Sequence, residues 1–296
     1  MKLFINIGSG NDFQLKRFYQ VISEKITIVD DPKKADILLV TSWSHEYTNN
    51  YKAVFVPYTG LNRFPVDDLE EKGTRVINTH AKAKLVAERA FTLCLTVLGK
   101  VVPYDHSLRR EGKWSTRDNW GSEFWRSLHN LSVGIIGMGH IGQSLLNYLK
   151  PFNCKIVNLK RDQEKNLADL YVEDVNALIE SSDIIFLACA LNDQTKGIIN
   201  LSHLDQLGNK VIINVARGPV LDEETLFLAL KNNILYGAGI DVWYQYPSPN
   251  PIHPSQYDLS QFSQLVMSPH ASCHADNFKN DYYDDIFRKI NDFVEE

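Results

Sequence analysis

The sequence predicts an α/β protein built from two successive parallel-sheet layers, and three observations carry that expectation. The chain has 296 residues and 44% hydrophobic content, enough to bury two cores rather than one. Short apolar runs alternate with helical patterns from the first residue, and the alternation starts afresh after residue 130. At that restart the six residues Gly137-Met138-Gly139-His140-Ile141-Gly142 stand between a strand-like run and a helix-like run.

The elements follow in order. Residues 3–7 read as a first strand and 13–22 as a helix, with further strands at 26–29, 37–40, 54–56 and 76–77. Residues 86–101 form a long helical candidate. Residues 105–130 read as a polar stretch carrying Trp114, Trp120 and Trp125, which either face a partner or cap their own domain. The second layer places strands around Val133 and Ile156 and at 184–187, 211–215, 237–241 and 265–267. No internal repeat and no low-complexity tract interrupts this order.

Composition excludes several function classes. The 31 basic and 36 acidic residues give a formal charge of −5, with no basic block, so nucleic acid is not an expected partner. Cys94, Cys154, Cys189 and Cys273 are scattered without C-x-x-C spacing, which predicts reduced thiols in a cytoplasmic protein and no metal centre. The apolar run at the N-terminus is too short for a signal peptide, and no segment has the length to cross a bilayer.

The glycine turn predicts dinucleotide binding. Residues 131–136 make a short buried strand, and Ile141, Leu145, Leu146 and Leu149 recur at helical spacing until Pro151. In such a unit the first glycine permits the turn, the second admits a pyrophosphate to the backbone, and the third lets the helix pack on the sheet. The helix's first amides then face the phosphates. An ordinary glycine-rich turn is the plain alternative. The end of the next strand is where an acid would hold the ribose hydroxyls of NAD, and here stand Lys160 and Arg161. Two cations attract a 2′-phosphate and favour NADP, with NAD possible if Asp162 does the acid's work.

Two further residues stand at ends of apolar strands, the edge where open parallel sheets bind ligands. Arg217, in Asn214-Val215-Ala216-Arg217-Gly218-Pro219-Val220, can grip a carboxylate and the neighbouring carbonyl of a 2-oxo acid with its planar fork. A structural ion pair with Asp222 or Glu223 is the alternative. His270, behind Ser268-Pro269, titrates in the range needed to protonate an alkoxide formed by hydride transfer, or else is a structural histidine.

Taken together, the glycine turn, the Asn214–Val220 segment, Gly237-Ala238-Gly239-Ile240-Asp241-Val242 and Ser268-Pro269-His270 closely resemble the D-2-hydroxyacid dehydrogenase family, in that order and at that spacing. Asn78-Thr79, Val86-Ala87-Glu88 and Gly112-Lys113-Trp114 extend the resemblance over nearly the whole chain. It implies two Rossmann-like, doubly wound parallel-sheet domains, the nucleotide domain (residues 101–271) being inserted into a substrate domain (1–100 and 272–296), and a homodimer. It implies that Arg217 binds the substrate and that His270 is the general acid and base. It further implies cofactor contacts from Gly137, Gly139, His140, Ile141, Gly142, Lys160, Arg161, Leu191, Thr195, Val215 and Ala216. Val86 would line the nicotinamide pocket, Asp241 would hold the carboxamide, and Tyr58-Thr59-Gly60 would offer amides to a small 2-oxo acid such as glyoxylate or hydroxypyruvate.

The resemblance breaks at two places. The family's glutamate, which hydrogen-bonds the catalytic histidine, is replaced by Tyr246 before Pro247, and no acid lies between Asp241 and Asp258. A phenol can orient an imidazole but cannot stabilise its cation, so reduction is expected to weaken at a lower pH than in the family. Ala190 stands where the family's cofactor loop has a proline. A formate dehydrogenase-like hydride transfer and a nicotinamide-sensing corepressor are the alternative functions.

Overall fold

The computed structural model of the protein describes residues 1–8, 12–47, 50–61, 63–114, 124–160, 166–247, 250, 252–276 and 278–296. The chain divides into two compact units, residues 1–82 with 274–296, and residues 83–273.

The first unit is a five-stranded parallel sheet in the order β2-β1-β3-β4-β5. Its strands are β1 (Lys2–Asn6), β2 (Thr27–Val29), β3 (Ile37–Val40), β4 (Ala53–Val56) and β5 (Arg75–Asn78). The central runs Ile-Leu-Leu-Val and Ala-Val-Phe-Val are buried throughout, as expected of strands covered on both faces. One face carries α1 (Asp12–Val21) and α8 (Phe278–Glu295), the latter supplied by the far end of the chain. Tyr283, Ile286, Phe287 and Ile290 recur at helical spacing and are buried with Leu3, Ile37 and Phe55. On the other face, Leu69 of α2 (Val66–Glu71) packs with Tyr47, Tyr51 and Phe64.

The second unit is a seven-stranded parallel sheet in the order β12-β11-β10-β9-β6-β7-β8. It comprises β6 (Ser132–Ile136), β7 (Lys155–Leu159), β8 (Leu170–Val172), β9 (Ile184–Leu187), β10 (Val211–Asn214), β11 (Gly237–Ile240) and β12 (Leu265–Met267). The order reverses between β6 and β9, the crevice where such sheets bind ligands at their carboxyl edge. Helices α3 (Ala83–Leu98) and α5 (His140–Leu149) cover one face. The other face is covered by α6 (Val175–Glu180) and α7 (Glu223–Lys231).

Three details depart from the sequence expectation. The first unit boundary falls at 82/83 rather than 100/101, because α3 belongs to the second sheet: a Cβ on Gly239 would lie 2.9 Å from Leu93 Cβ, and one on Gly237 2.7 Å from Val97 Cγ1. Bare glycines in β11 are what let the helix lie on that strand. The helix expected at 86–101 starts three residues early and stops at Gly99-Lys100, where Lys100 turns left-handed at φ 48°. Helix α4 (Val101–Glu111) then occupies the start of the stretch read as polar and given no helix. None of its residues is buried, so no core stripe marked it in the sequence.

Candidate active site

Each glycine of the turn between β6 and α5 meets a different demand. Gly137 has φ +107°, and a Cβ there would sit 2.5 Å from the Cys189 backbone nitrogen. Gly142 packs so tightly that a Cβ would come within 2.3 Å of Gly137 O. Gly139 has open space around its Cβ position and caps α5 with no side-chain hydrogen bond. The first turn of α5 thus starts from a glycine with open space beside its backbone, which fits a pyrophosphate. His140 is exposed, and Ile141 packs into the core beneath the turn.

At the end of β7, Lys160 Nζ pairs with Glu173 Oε1 at 2.6 Å, both side chains being exposed. Arg161 and Asp162 lie outside the described residues, as does Trp120. In the loop after β9, Leu191 is partly buried. Thr195 is 4% exposed and closes its own loop: its hydroxyl donates to Ala190 O at 2.6 Å and accepts from Asn192 N at 2.8 Å. The hydroxyl at the position facing Ala190 thus takes up the loop closure that the missing proline would have stiffened. Val86, on α3, packs against the core of the same unit.

Arg217 follows β10, where the buried side chain of Asn214 shapes the turn by accepting from Ala216 N at 3.1 Å and donating to Arg217 O at 3.1 Å. Val215 and Ala216 are buried. The guanidinium donates to Ala216 O at 2.8 Å and makes no ion pair with the acids that open α7. Asp222 instead caps that helix through Thr225, and Glu223 accepts from Ser255 and Gln256. Gly218 lies against the strand extension after β11, where a Cβ would meet Trp243 O at 2.2 Å.

His270 follows β12 with φ +56°. Its ring lies 5.4 Å from that of Tyr246, tilted by 52°. The Tyr246 hydroxyl accepts from Trp243 N at 3.0 Å. Burial pushes the phenol above its ordinary pKa, opposed by that hydrogen bond and by the positive charge of Arg217, so Tyr246 stays neutral. Tyr246 thus neighbours the imidazole and feels the charge of Arg217, and the three residues follow the carboxyl ends of β10, β11 and β12. Asp241 directly follows β11. It is 1% exposed, and its carboxylate accepts from Ala271 N at 2.9 Å, Ser272 N at 3.0 Å and the Ser272 hydroxyl.

In the other unit, Tyr58-Thr59-Gly60 follows β4. Thr59 Oγ1 donates to Thr79 O at 2.9 Å, and Asn78 Nδ2 donates to Thr59 O at 2.8 Å, so the loop is tied down by the strand end beside it. Tyr58 is partly buried, and desolvation raises its pKa against the nearby charge of Arg63. Sequence reasoning missed Trp243, Gly218 and Ser272. Only the tertiary contacts single them out, although an aromatic directly after the Asp241 strand was a visible cue.

Known proteins resemble the chain in sequence and in fold. The family model for the D-isomer specific 2-hydroxyacid dehydrogenase NAD binding domain matches residues 91–272. Glyoxylate/hydroxypyruvate reductase A of Arabidopsis thaliana is 34% identical over 213 residues, 71% of this chain and 65% of that protein. Hydroxypyruvate reductase of Thermotoga maritima is 33% identical over 257 residues, 83% of this chain and 81% of that protein. In fold, the chain is similar to an NADPH-dependent glyoxylate/hydroxypyruvate reductase of Sinorhizobium meliloti solved with NADP and malonate. The TM-score is 0.77 at 22% identity, covering 99% of this chain and 93% of that one. With the family model spanning more than half its length, the chain belongs to the D-isomer-specific 2-hydroxyacid dehydrogenases.

Proposed function

We propose that the protein reduces a small 2-oxo acid of the glyoxylate or hydroxypyruvate class with NADPH. The observation that carries this reading is the gathering of Arg217, Tyr246 and His270 at one sheet edge in the unit that holds the glycine turn. A reduced nicotinamide, when bound, supplies the hydride to the carbonyl carbon. The Arg217 fork holds the substrate carboxylate and polarises the adjacent carbonyl oxygen. His270 gives that oxygen a proton as the carbonyl becomes an alcohol, and takes it back in the reverse direction. Tyr246 sets the face of the imidazole without adding charge.

Lys160, freed from Glu173, and Arg161 would meet the 2′-phosphate of NADP, which is the ligand of the Sinorhizobium relative. The amides of the Gly137–Gly142 turn would hold the pyrophosphate, with Val86, Leu191, Thr195, Val215 and Ala216 as further cofactor contacts. The active form is a homodimer in the cytoplasm. The exposed apolar side chains Val101, Val102, Leu108, Trp114, Phe124 and Trp125 support the dimer, and the described cysteines, all without disulfides, support the compartment.

A panel of 2-oxo acids assayed with NADPH and with NADH tests the whole reading. Turnover with NADPH should fall by roughly 10²–10⁴-fold in His270→Ala and by at least about 10²-fold in Arg217→Ala. A lower KM for NADH than for NADPH overturns the cofactor assignment, and silence across the panel replaces the enzyme with a nicotinamide-sensing binding module.

A further inference from the structure

We propose that Asp285 and Lys289, on the helix supplied by the far end of the chain, are positioning residues that hold the loop Tyr58-Thr59-Gly60 in shape for the substrate's carboxylate, a role that rests on the reading of the substrate as a 2-oxo acid. Among the described residues nothing accepts from the backbone amides of Tyr58, Thr59 and Gly60, whereas the hydroxyl and the carbonyl of Thr59 are both engaged. Successive amides left open in this way are a donor set for an anion.

Two lines of hydrogen bonds run from α8 to that one threonine, both inside the first unit. In one, Thr59 Oγ1 donates to Thr79 O at 2.9 Å, and the Thr79 hydroxyl donates to Asp285 Oδ2 at 2.6 Å. In the other, Asn78 Nδ2 donates to Thr59 O at 2.8 Å, and Asn78 O accepts from Lys289 Nζ at 2.8 Å. Each line passes through the end of β5 and finishes on a charge. Asp285 and Lys289 flank the buried stripe of Tyr283, Ile286, Phe287 and Ile290, which fixes the face that α8 turns to the sheet. Standing one helical turn apart, they pair at 3.0 Å and so couple the two lines. Thr79 is 1% exposed, and its hydroxyl also accepts from Ala81 N at 3.2 Å, so its single proton is committed to the carboxylate. Hydrogen bonds with an ionised end are stronger than neutral ones. The loop is thereby ordered when the unit folds, and a carboxylate reaching its amides does not have to order it again. Arg288 also reaches Asp285, through Oδ1 at 2.6 Å, but lies on neither line.

Asp285→Ala, Thr79→Val and Lys289→Met test this in the whole chain, with Thr79→Ser as the conservative variant and Arg288→Ala removing a bond outside both lines. The readouts are the KM for glyoxylate, the KM for NADPH, kcat, and the order parameters of the amides of residues 58–60 from NMR relaxation. The first three variants should each raise the KM for glyoxylate by roughly tenfold, the size of one hydrogen bond to a charged group. Their kcat and KM for NADPH should stay within about twofold, because ground-state binding of the acid is what is lost. Loop order parameters should fall from about 0.85 towards about 0.6. Thr79→Ser and Arg288→Ala should keep the parent values. Variants that lower the thermal midpoint but hold the KM for glyoxylate make the contacts structural only and overturn the proposal, as does an equal rise in the KM for NADPH. Lys289→Met carries the test if the other two do not fold. If the unmutated protein reduces no 2-oxo acid, the enzymatic reading fails; the order parameters in Lys289→Met then decide, a fall showing that α8 holds the loop and unchanged values that it does not.

Discussion

At the scale of single residues, the most consequential departure from the family is Tyr246 beside His270. On the proposed mechanism reduction draws its proton from the His270 imidazolium, so activity should fall as rising pH removes that proton. A neutral phenol, kept protonated by burial, does nothing to hold it there. Tyr246→Glu places a carboxylate there, and the descending limb of reductive kcat/KM should move to higher pH. An unmoved limb refutes this account of the site. The glycine turn offers a second contrast. Gly139→Ala meets open space and should leave Tm unchanged while weakening NADPH binding, whereas Gly142→Ala drives a methyl into Gly137 O and should cost about 1–3 kcal/mol in urea unfolding. On the proposed NADPH reading, the exposed pair of Lys160 with Glu173 would compete with the 2′-phosphate. Glu173→Ala should tighten NADPH by roughly two- to fivefold and leave NADH unaffected, since exposed pairs are worth less than about 1 kcal/mol.

At the scale of elements, α8 shows how the far end of the chain serves the first sheet. Asp285 accepts from Thr79 Oγ1 at 2.6 Å and from Arg288 at 2.6 Å, and pairs with Lys289 at 3.0 Å. Lys289 Nζ reaches Asn78 O at 2.8 Å, so the helix secures the strand end that secures Thr59. Burial works against charge on Asp285, but its hydrogen bonds from Thr79, Lys289 and Arg288 hold the carboxyl below its ordinary value. A depressed carboxyl stabilises the fold above the unfolded pKa near about 4, and that stabilisation is lost as pH falls through the lower folded value. Asp285→Asn should destabilise by roughly 1–3 kcal/mol at neutral pH. The gap between variant and parent in denaturant unfolding should close as the solution is made more acid.

At the scale of the molecule, α4 has no buried residue, and apolar side chains remain exposed along it and beyond. Val101 is 54% exposed and Trp114 and Trp125 are each 58% exposed, more apolar surface than a solitary helix gains from showing to water. Sedimentation should find two copies, and Val102→Glu with Leu108→Glu should shift the population to monomer. A monomeric parent protein would refute the dimer.

What the sequence determined by itself was the set of elements that repeat a local pattern. Alternating buried runs and helical stripes located the central strands of both sheets, and the spacing of Gly137, Gly139 and Gly142 announced the turn, because the positive φ of Gly137 and the approach of Gly142 to Gly137 O arise within the turn itself. Arg217 and His270 were legible for a related reason: each ends an apolar strand, and parallel sheets expose that edge. The tertiary structure alone decided that α3 belongs with the second sheet, that α4 is a helix, and that Asp241 turns inward to the loop after His270. The first and last of these depend on partners 30 residues or more away along the chain, as Ala271 is from Asp241, and such contacts leave no periodic trace in the order of residues, while α4 buries no residue that would have marked it.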